Sequence, residues 1–262
     1  MKDALIFPLL AAGSGAGLLV FGWLKRSKSQ FMRSVPLRLT GGLMPGETQF
    51  VSGTAHCPVK VTAPSSKQEC VFYSEKVERL ESSYSSRGRS NTRWVSEGVQ
   101  TYGAFFLKDA DGAALVLPGA YALDLKKPEF SDESAALPGM AAIGDVRRTE
   151  QTIAEGETVT VMGVPRPLDE LMRYLRASGD TFLPGELVSR LAAMEKDPAY
   201  SRTPCFFGDG LRILTDQAPE EYISGTAAAG GNYLALGALL LLAGLGFLGY
   251  MLKSSLPSSD PF

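Results

Sequence analysis

The sequence predicts an α+β chain in which a mainly β soluble domain lies between two transmembrane helices, and three observations predict it. Ala4 to Leu24 (ALIFPLLAAGSGAGLLVFGWL) carries no charge. Tyr233 to Leu252 (YLALGALLLLAGLGFLGYML) carries none either. Each supplies the roughly 20 apolar helical residues that a bilayer core requires. Between them, short apolar runs alternate with Gly, Pro, Asp and Ser clusters, the pattern of strands and turns. The organisation that follows is a cap at 1–3, a first transmembrane helix at 4–24 and a basic linker at 25–45. A soluble domain at 46–225 carries a helical insertion at 166–203. A linker at 226–232, a second transmembrane helix at 233–252 and a tail at 253–262 complete it.

The first span reads as a retained anchor and not as a cleaved leader, because Lys25, Arg26 and Lys28 follow it and no A-x-A site does. Lys25, Arg26, Lys28, Arg33 and Arg38 all stand on the domain side, against Lys2 and Lys253 on the other. Positive charge gathers on the cytoplasmic face, so this bias places the soluble domain in the cytoplasm. The expected location is the cell membrane of a prokaryote, with two spans. The formal net charge is −2 and no long Lys/Arg block occurs, which excludes nucleic acid as a partner. Three cysteines, an odd number, fit reduced thiols better than a disulfide framework.

Along the middle, Cys70 to Leu80 alternates as a long strand leaving a core, and Arg93 to Thr101 returns toward it. The Ser- and Arg-rich stretch Ser82 to Thr92 is the protruding hairpin's tip. Asp111-Gly112 lies between Phe105–Leu107 and Leu115–Leu117 and marks a hairpin. A calcium loop at Asp109 and Asp111 would need further oxygen ligands at set spacing, which are missing. Glu129 to Met140 reads as a surface loop. Gly46-Glu47-Thr48, Val51 and Gly53 recur at the same offsets as Gly156-Glu157-Thr158, Val161 and Gly163. The recurrence means either two related β units or one favourable turn-plus-strand sequence used twice. Leu168, Leu171, Met172 and Leu175 follow helical spacing after Pro167, and a second helix opens at Leu183-Pro184-Gly185. Cys205–Phe207 and Leu211–Leu214 are expected to close as a hairpin over Gly208-Asp209-Gly210. The domain is expected to be an OB-like barrel or a pair of curved sheets.

Chemistry finds little purchase. His56 is the one histidine and adjoins Cys57, but neighbours on a strand point to opposite faces, a poor arrangement for a nucleophile and its base. Cys57, Cys70, Cys205 and His56 lack zinc-site spacing, and no phosphate-loop, dinucleotide, nucleophile-elbow or zincin motif occurs. No catalytic, cofactor-binding or metal-binding residue is assigned, and no cofactor is expected. In the first span Gly13 and Gly17 form a G-x-x-x-G step, a seam for the second span or for self-association through transmembrane helix 1.

Several segments together resemble the GIDE domain, also called BAM ("beside a membrane"), of membrane-anchored E3 ubiquitin ligase-like proteins. They are Gly46-Glu47 with Val51-x-Gly53, Ala63-Pro64 before Cys70-Val71-Phe72-Tyr73, and Val77-Glu78-Arg79. Trp94 follows, then Phe105-Phe106-Leu107-Lys108-Asp109 with Gly112, and Arg147-Arg148-Thr149-Glu150 before Gly156-Glu157 and Val161-Met162-Gly163. The resemblance runs from Gly46 to Gly163 and returns weakly at Leu211 to Asp216. It implies a soluble domain between two spans, and, from the mitochondrial relatives, a position between two membranes that conflicts with the charge argument. In the ligases a zinc-binding RING follows the second span. The three cysteines and one histidine of this sequence cannot supply its ligands, so the chain is expected to be a RING-less member. The function expected is a non-catalytic scaffold or sensor beside the lipid bilayer, bound to a protein partner or to lipid. Two alternatives compete. One is a ligase-like accessory subunit. The other is a thiol-dependent membrane enzyme, which would need a pocket lined by His56, Cys57 or Cys70 with a carboxylate close by.

Overall fold

The computed structural model describes residues 6–84, 90–126, 130–133, 143–179 and 182–255. The chain forms two units: Met1–Val35 with Glu220–Phe262, and Pro36–Pro219.

The first unit is a pair of helices, α1 (Ile6–Ser34) and α4 (Pro219–Ser255), both long and apolar enough to cross a membrane. Pro219 opens α4, where its missing N–H costs nothing, and Glu220 and Glu221 complement the helix dipole. α1 runs ten residues past Leu24, so the basic residues 25–33 lie on helix and not in a linker. The small residues Ala227 to Asn232 likewise lie inside α4. The reason is packing. The buried residues Pro8, Gly15, Gly22 and Ser29 recur every seventh position along α1. Opposite them, also at sevens, stand Gly244, Gly237, Gly230 and Ile223: a Cβ on Gly15 would lie 2.7 Å from the Gly237 carbonyl, one on Gly22 2.9 Å from that of Gly230, and one on Gly244 2.8 Å from that of Pro8. The Ser29 hydroxyl donates to the Ile223 carbonyl at 3.3 Å. A seven-residue period keeps one stripe of each helix facing the other, and glycine lets the backbones touch. Gly13 and Gly17 take no part: a Cβ on either would meet nothing within 4 Å. The intrachain seam expected there runs through Gly15 and Gly22 instead. Large apolar side chains such as Phe7, Leu10, Leu239 and Leu242 point outward and are exposed.

The second unit is built on two larger sheets. β1 (Gln49–His56), β6 (Phe105–Lys108), β7 (Ala113–Val116), β10 (Thr158–Gly163), β11 (Arg166–Pro167), β12 (Pro204–Phe206) and β13 (Leu211–Thr215) form a seven-stranded sheet in the order β11-β12-β7-β6-β1-β10-β13. β4 (Phe72–Tyr84), β5 (Ser90–Gly103), β8 (Phe130–Glu133) and β9 (Val146–Ile153) form a second in the order β5-β4-β9-β8. The short pair β2 (Val61–Thr62) and β3 (Glu69–Cys70) stands apart. The architecture is therefore α+β and mainly sheet, as the sequence pattern predicts. The seven strands are paired in an open order, so a closed barrel is not what forms. One core joins Phe72, Phe105, Leu107, Leu115, Val161, Phe206 and Leu214 to the helical insertion.

The recurrent Gly-Glu-Thr segments receive a local explanation. In each, glycine takes positive φ (86° at Gly46, 79° at Gly156) in a turn closed by the following glutamate's N–H. The strands that follow are antiparallel neighbours, with Val51 directly opposite Val161. A Cβ on Gly53 would lie 2.4 Å from the Lys108 carbonyl, and one on Gly163 2.2 Å from that of Gly210. The two segments thus share a turn, a strand and a close approach by a neighbouring backbone carbonyl, from β6 at Gly53 and from the 208–210 turn at Gly163.

The hairpin around Asp111-Gly112 forms as expected, with Phe105 opposite Val116 and Lys108 opposite Ala113. Asp109 fixes it. Its carboxylate accepts from the amides of Asp111 (2.9 Å) and Gly112 (3.1 Å), and from the amide (2.7 Å) and hydroxyl (2.6 Å) of Thr40. Burial opposes ionisation here, but the Thr40 hydroxyl and the three amides outweigh it and hold this carboxyl below its ordinary value. A lowered folded-state pKa stabilises the fold above the unfolded value of 3.8, and that stability is lost as pH falls through the folded value. Asp109→Ala is expected to cost about 1–2 kcal/mol at pH 7 and progressively less below pH ~4. Urea denaturation of variant and parent across that range measures it.

Two further expectations fail. Cys205–Phe207 and Leu211–Leu214 do not pair with each other: β12 joins β11 and β7, the latter in parallel, while β13 joins β10. The tight turn at 208–210 only redirects the chain, because the bare backbone of Gly163 lets the Gly210 carbonyl dock on β10. Within Glu129 to Met140, Phe130–Glu133 forms a strand and not a loop. Its register on β9 sets Asp132 opposite Arg148 and Glu133 opposite Arg147. The remainder of that segment lies outside the described residues, as does 85–89 at the expected hairpin tip. β4 and β5 pair along their whole lengths, Phe72 to Tyr84 against Ser90 to Gly103. The insertion holds α2 (Leu168–Ser178) and α3 (Gly185–Lys196), with Leu168, Leu171, Met172, Leu175, Leu187 and Leu191 buried as their spacing predicts.

Candidate functional site

A cavity of about 620 Å³ opens where β1 ends, and the segment descending from α3 forms one wall of it. His56, Cys57 and Pro58 come from the end of β1, Phe106 and Lys108 from β6, and Glu155 from the turn before β10. Met194, Tyr200 and Thr203 come from the insertion. The turn is tied to β1 by Ala55 N–H to the Glu157 carbonyl (2.8 Å) and Gly156 N–H to the Ala55 carbonyl (2.7 Å). That backbone clasp carries Glu155 to His56. Oε1 of Glu155 lies 2.7 Å from His56 Nδ1, and Oε2 accepts the Cys57 N–H at 2.9 Å. On the far side of the ring, Nε2 lies 3.0 Å from the Thr54 hydroxyl. Burial opposes the charge of Glu155, but the Cys57 amide and the His56 ring prevail and hold its carboxyl below the usual range.

Hydroxyl, imidazole and carboxylate in sequence form the geometry of an activated nucleophile. The position of Thr54 removes that use. Thr54 does not line the cavity, so a molecule bound there does not meet its oxygen. The imidazole and carboxylate are each about one-third exposed (36% for both side chains), so water screens the pair.

The cysteines are poor nucleophiles. Burial pushes the Cys57 thiol up, against the opposing effect of the Val59 amide, and burial with Asp169 nearby pushes Cys205 up strongly. Cys70 is buried in the small Val61–Ala63 cluster, and its thiol donates to the Val61 carbonyl at 3.6 Å. The pocket that an enzyme reading requires therefore exists around His56, Cys57 and Glu155, but without an ionised thiol, and Cys70 is elsewhere. Among the described residues, no group of His, Cys, Asp and Glu is arranged to hold a metal ion.

Sequence reasoning reached His56 and Cys57 and missed Glu155, Lys108, Met194 and Tyr200. Glu155 is 99 residues from His56, and nothing in its local spacing signals the bond. A polar recess of about 490 Å³ on the second sheet is a weaker candidate, because its charges satisfy each other. Glu78 there accepts from Lys76 and Arg147 at 2.6 Å each, and Arg147 lies over the Trp94 ring at 4.8 Å. The chain matches no family model, no curated protein and no solved structure.

Proposed function

We propose that this chain is a membrane-anchored, non-catalytic scaffold or sensor of the GIDE/BAM type, which holds a β-rich unit beside a bilayer for a protein partner or lipid. The observation that carries the reading is the α1–α4 pair. Gly15, Gly22, Gly230, Gly237 and Gly244 face inward along one seam, while large side chains such as Phe7, Leu10, Leu239 and Leu242 face outward, where lipid is suited to cover them. Lys25, Arg26 and Lys28 follow the apolar part of α1 within about two helical turns, where each contributes roughly 1 kcal/mol of attraction to anionic headgroups. That placement favours a cytoplasmic domain in a prokaryotic cell membrane. The outward Gly13 and Gly17 leave a surface for self-association through α1.

An OB-like arrangement, short of a closed barrel, draws support from chain continuity. β10 runs into β11 through two residues and β12 into β13 through four, although they stand at opposite ends of the strand order. A ligase-like accessory role is the variant in which the partner is a transferase, and a crosslinked pull-down from native membrane identifies that partner. The thiol-enzyme alternative loses ground to the burial of all three free cysteines. Two measurements test the proposal. The chain is expected to stay in the pellet when vesicles are washed with alkaline carbonate; release into the supernatant rejects anchoring. All three cysteines are expected to resist alkylation at neutral pH until the chain is denatured. A rapidly labelled Cys57 revives the enzyme.

A further inference from the structure

We propose that the cavity beside the helical insertion binds a small carboxylate with an apolar body, an aliphatic or arylalkyl acid. The apolar part rests on Pro58, Phe106 and Met194, and the carboxylate is met by the Lys108 ammonium with the hydroxyls of Tyr200 and Thr203. The inference goes beyond the anchoring proposal and holds whether or not the helices cross a bilayer.

Charge selects the anion. Both oxygens of Glu155 are occupied, one by His56 and the other by the Cys57 amide, so the single acid in the lining is already answered. Lys108 has no ion-pair partner among the described residues, and it is the one lysine in that lining. An ammonium beside an apolar wall favours a ligand that brings a negative charge on a hydrophobic body. Size agrees: about 620 Å³ is typical of a small-molecule site and holds a medium-length chain. Position agrees as well. Phe106 and Lys108 are two apart on β6, so their side chains lie on the same face of the sheet. The acid's body and head would therefore lie along a rigid strand. The opposite wall, Met194 to Thr203, belongs to the insertion, so the segment that sets this chain apart from a plain sheet domain also completes the cavity. Methionine adapts to variable apolar shapes, which suits a flexible chain.

The test uses the full chain in lipid nanodiscs and a diazirine-bearing octanoate as the photoreactive probe. Label is expected on the peptides that carry Phe106 and Met194–Tyr200. Excess octanoate is expected to suppress it, and octylammonium, with the same tail and opposite charge, is not. Lys108→Met removes one charged contact and is expected to reduce labelling about tenfold. Lys67→Met, whose ammonium donates to the Pro64 carbonyl at 2.6 Å outside the lining, leaves it unchanged. Ala113→Leu, a filling substitution in the lining, is expected to reduce labelling without touching a charge. Label elsewhere only, equal suppression by octylammonium, or undiminished labelling of Lys108→Met overturns the proposal. Repeating the labelling in detergent micelles separates this outcome from that of the carbonate wash, since the cavity does not depend on a bilayer.

Discussion

Valine in place of Gly15 is expected to drive α1 and α4 apart, while valine in place of Gly17 is expected to leave them paired. A Cβ on Gly15 would lie 2.5 Å from the Leu241 amide nitrogen and 2.7 Å from the Gly237 carbonyl oxygen. Both are backbone atoms, so no rotamer change relieves the clash. Overpacking a close contact costs about 1–3 kcal/mol, and a backbone-to-backbone seam sits at the upper end of that range. Valine gains only a few tenths of a kcal/mol over glycine in helix propensity, so sterics decide the outcome at Gly15. At Gly17 nothing lies within 4 Å, and propensity alone remains. In lipid the penalty is not recovered by hydrophobic burial, because lipid tails solvate a separated helix as well as its partner does. The measurement is the distance between spin labels on cysteines introduced at Leu10 and Leu242. These outward positions share a level of the pair, set by the Pro8–Gly244 and Gly15–Gly237 contacts. A distribution that lengthens and broadens for Gly15→Val, but not for Gly17→Val, is the expected result. Identical behaviour of the two variants would place the seam elsewhere.

That seam also shows where sequence reasoning stops. The G-x-x-x-G spacing drew attention to Gly13 and Gly17 because it is a known short motif. The contact the helices make repeats every seventh residue instead, and a heptad of single glycines among leucines is hard to distinguish from ordinary span composition. Local periodicity carried well where an element buries one face. Leu168, Leu171, Met172 and Leu175 mark α2 because only those four meet the core. Asp111-Gly112 marks its hairpin because the two flanking strands pair with each other. The same reasoning failed at Cys205–Leu214, where two apolar runs flank an equally good turn. Strand partners are chosen by long-range fit, and β12 fits β7 while β13 fits β10. β8 was hidden because a short, mostly polar strand carries no apolar alternation, and its place beside β9 is set by long-range pairing. The candidate site was half legible. A lone histidine stands out in any sequence, but its carboxylate partner and the wall supplied by the insertion are products of the fold.

Glu150→Leu is expected to release the 61–70 arm from the second sheet. Glu150 lies on β9, 1% exposed, with its carboxylate turned to the turn between β2 and β3. It accepts the amides of Ser65 (2.8 Å) and Ser66 (3.2 Å) and the Ser66 hydroxyl. Its neighbour across the ladder is Glu75, which accepts the Ser65 hydroxyl at 2.7 Å. Two carboxylates directly opposite each other repel, so removing one brings some relief. The relief is the smaller effect. Like charges across a ladder cost up to about 1 kcal/mol, whereas each amide left without an acceptor costs about 1–3 kcal/mol when water cannot reach it. Ser65 and Ser66 are only partly buried, so water recovers part of that loss. The net expectation is a destabilisation of about 2–4 kcal/mol for Glu150→Leu. Glu150→Gln keeps one carbonyl acceptor and sheds the repulsion, and is expected to cost about half as much. Hydrogen exchange separates local release from global loss. The peptide spanning 61–70 should exchange faster in Glu150→Leu while that of β1 and β10 keeps its protection, because those strands are held by their own ladder. Unaltered exchange at 61–70, or a matching rise at β1 and β10, would show that Glu150 does not act as the tether of this arm.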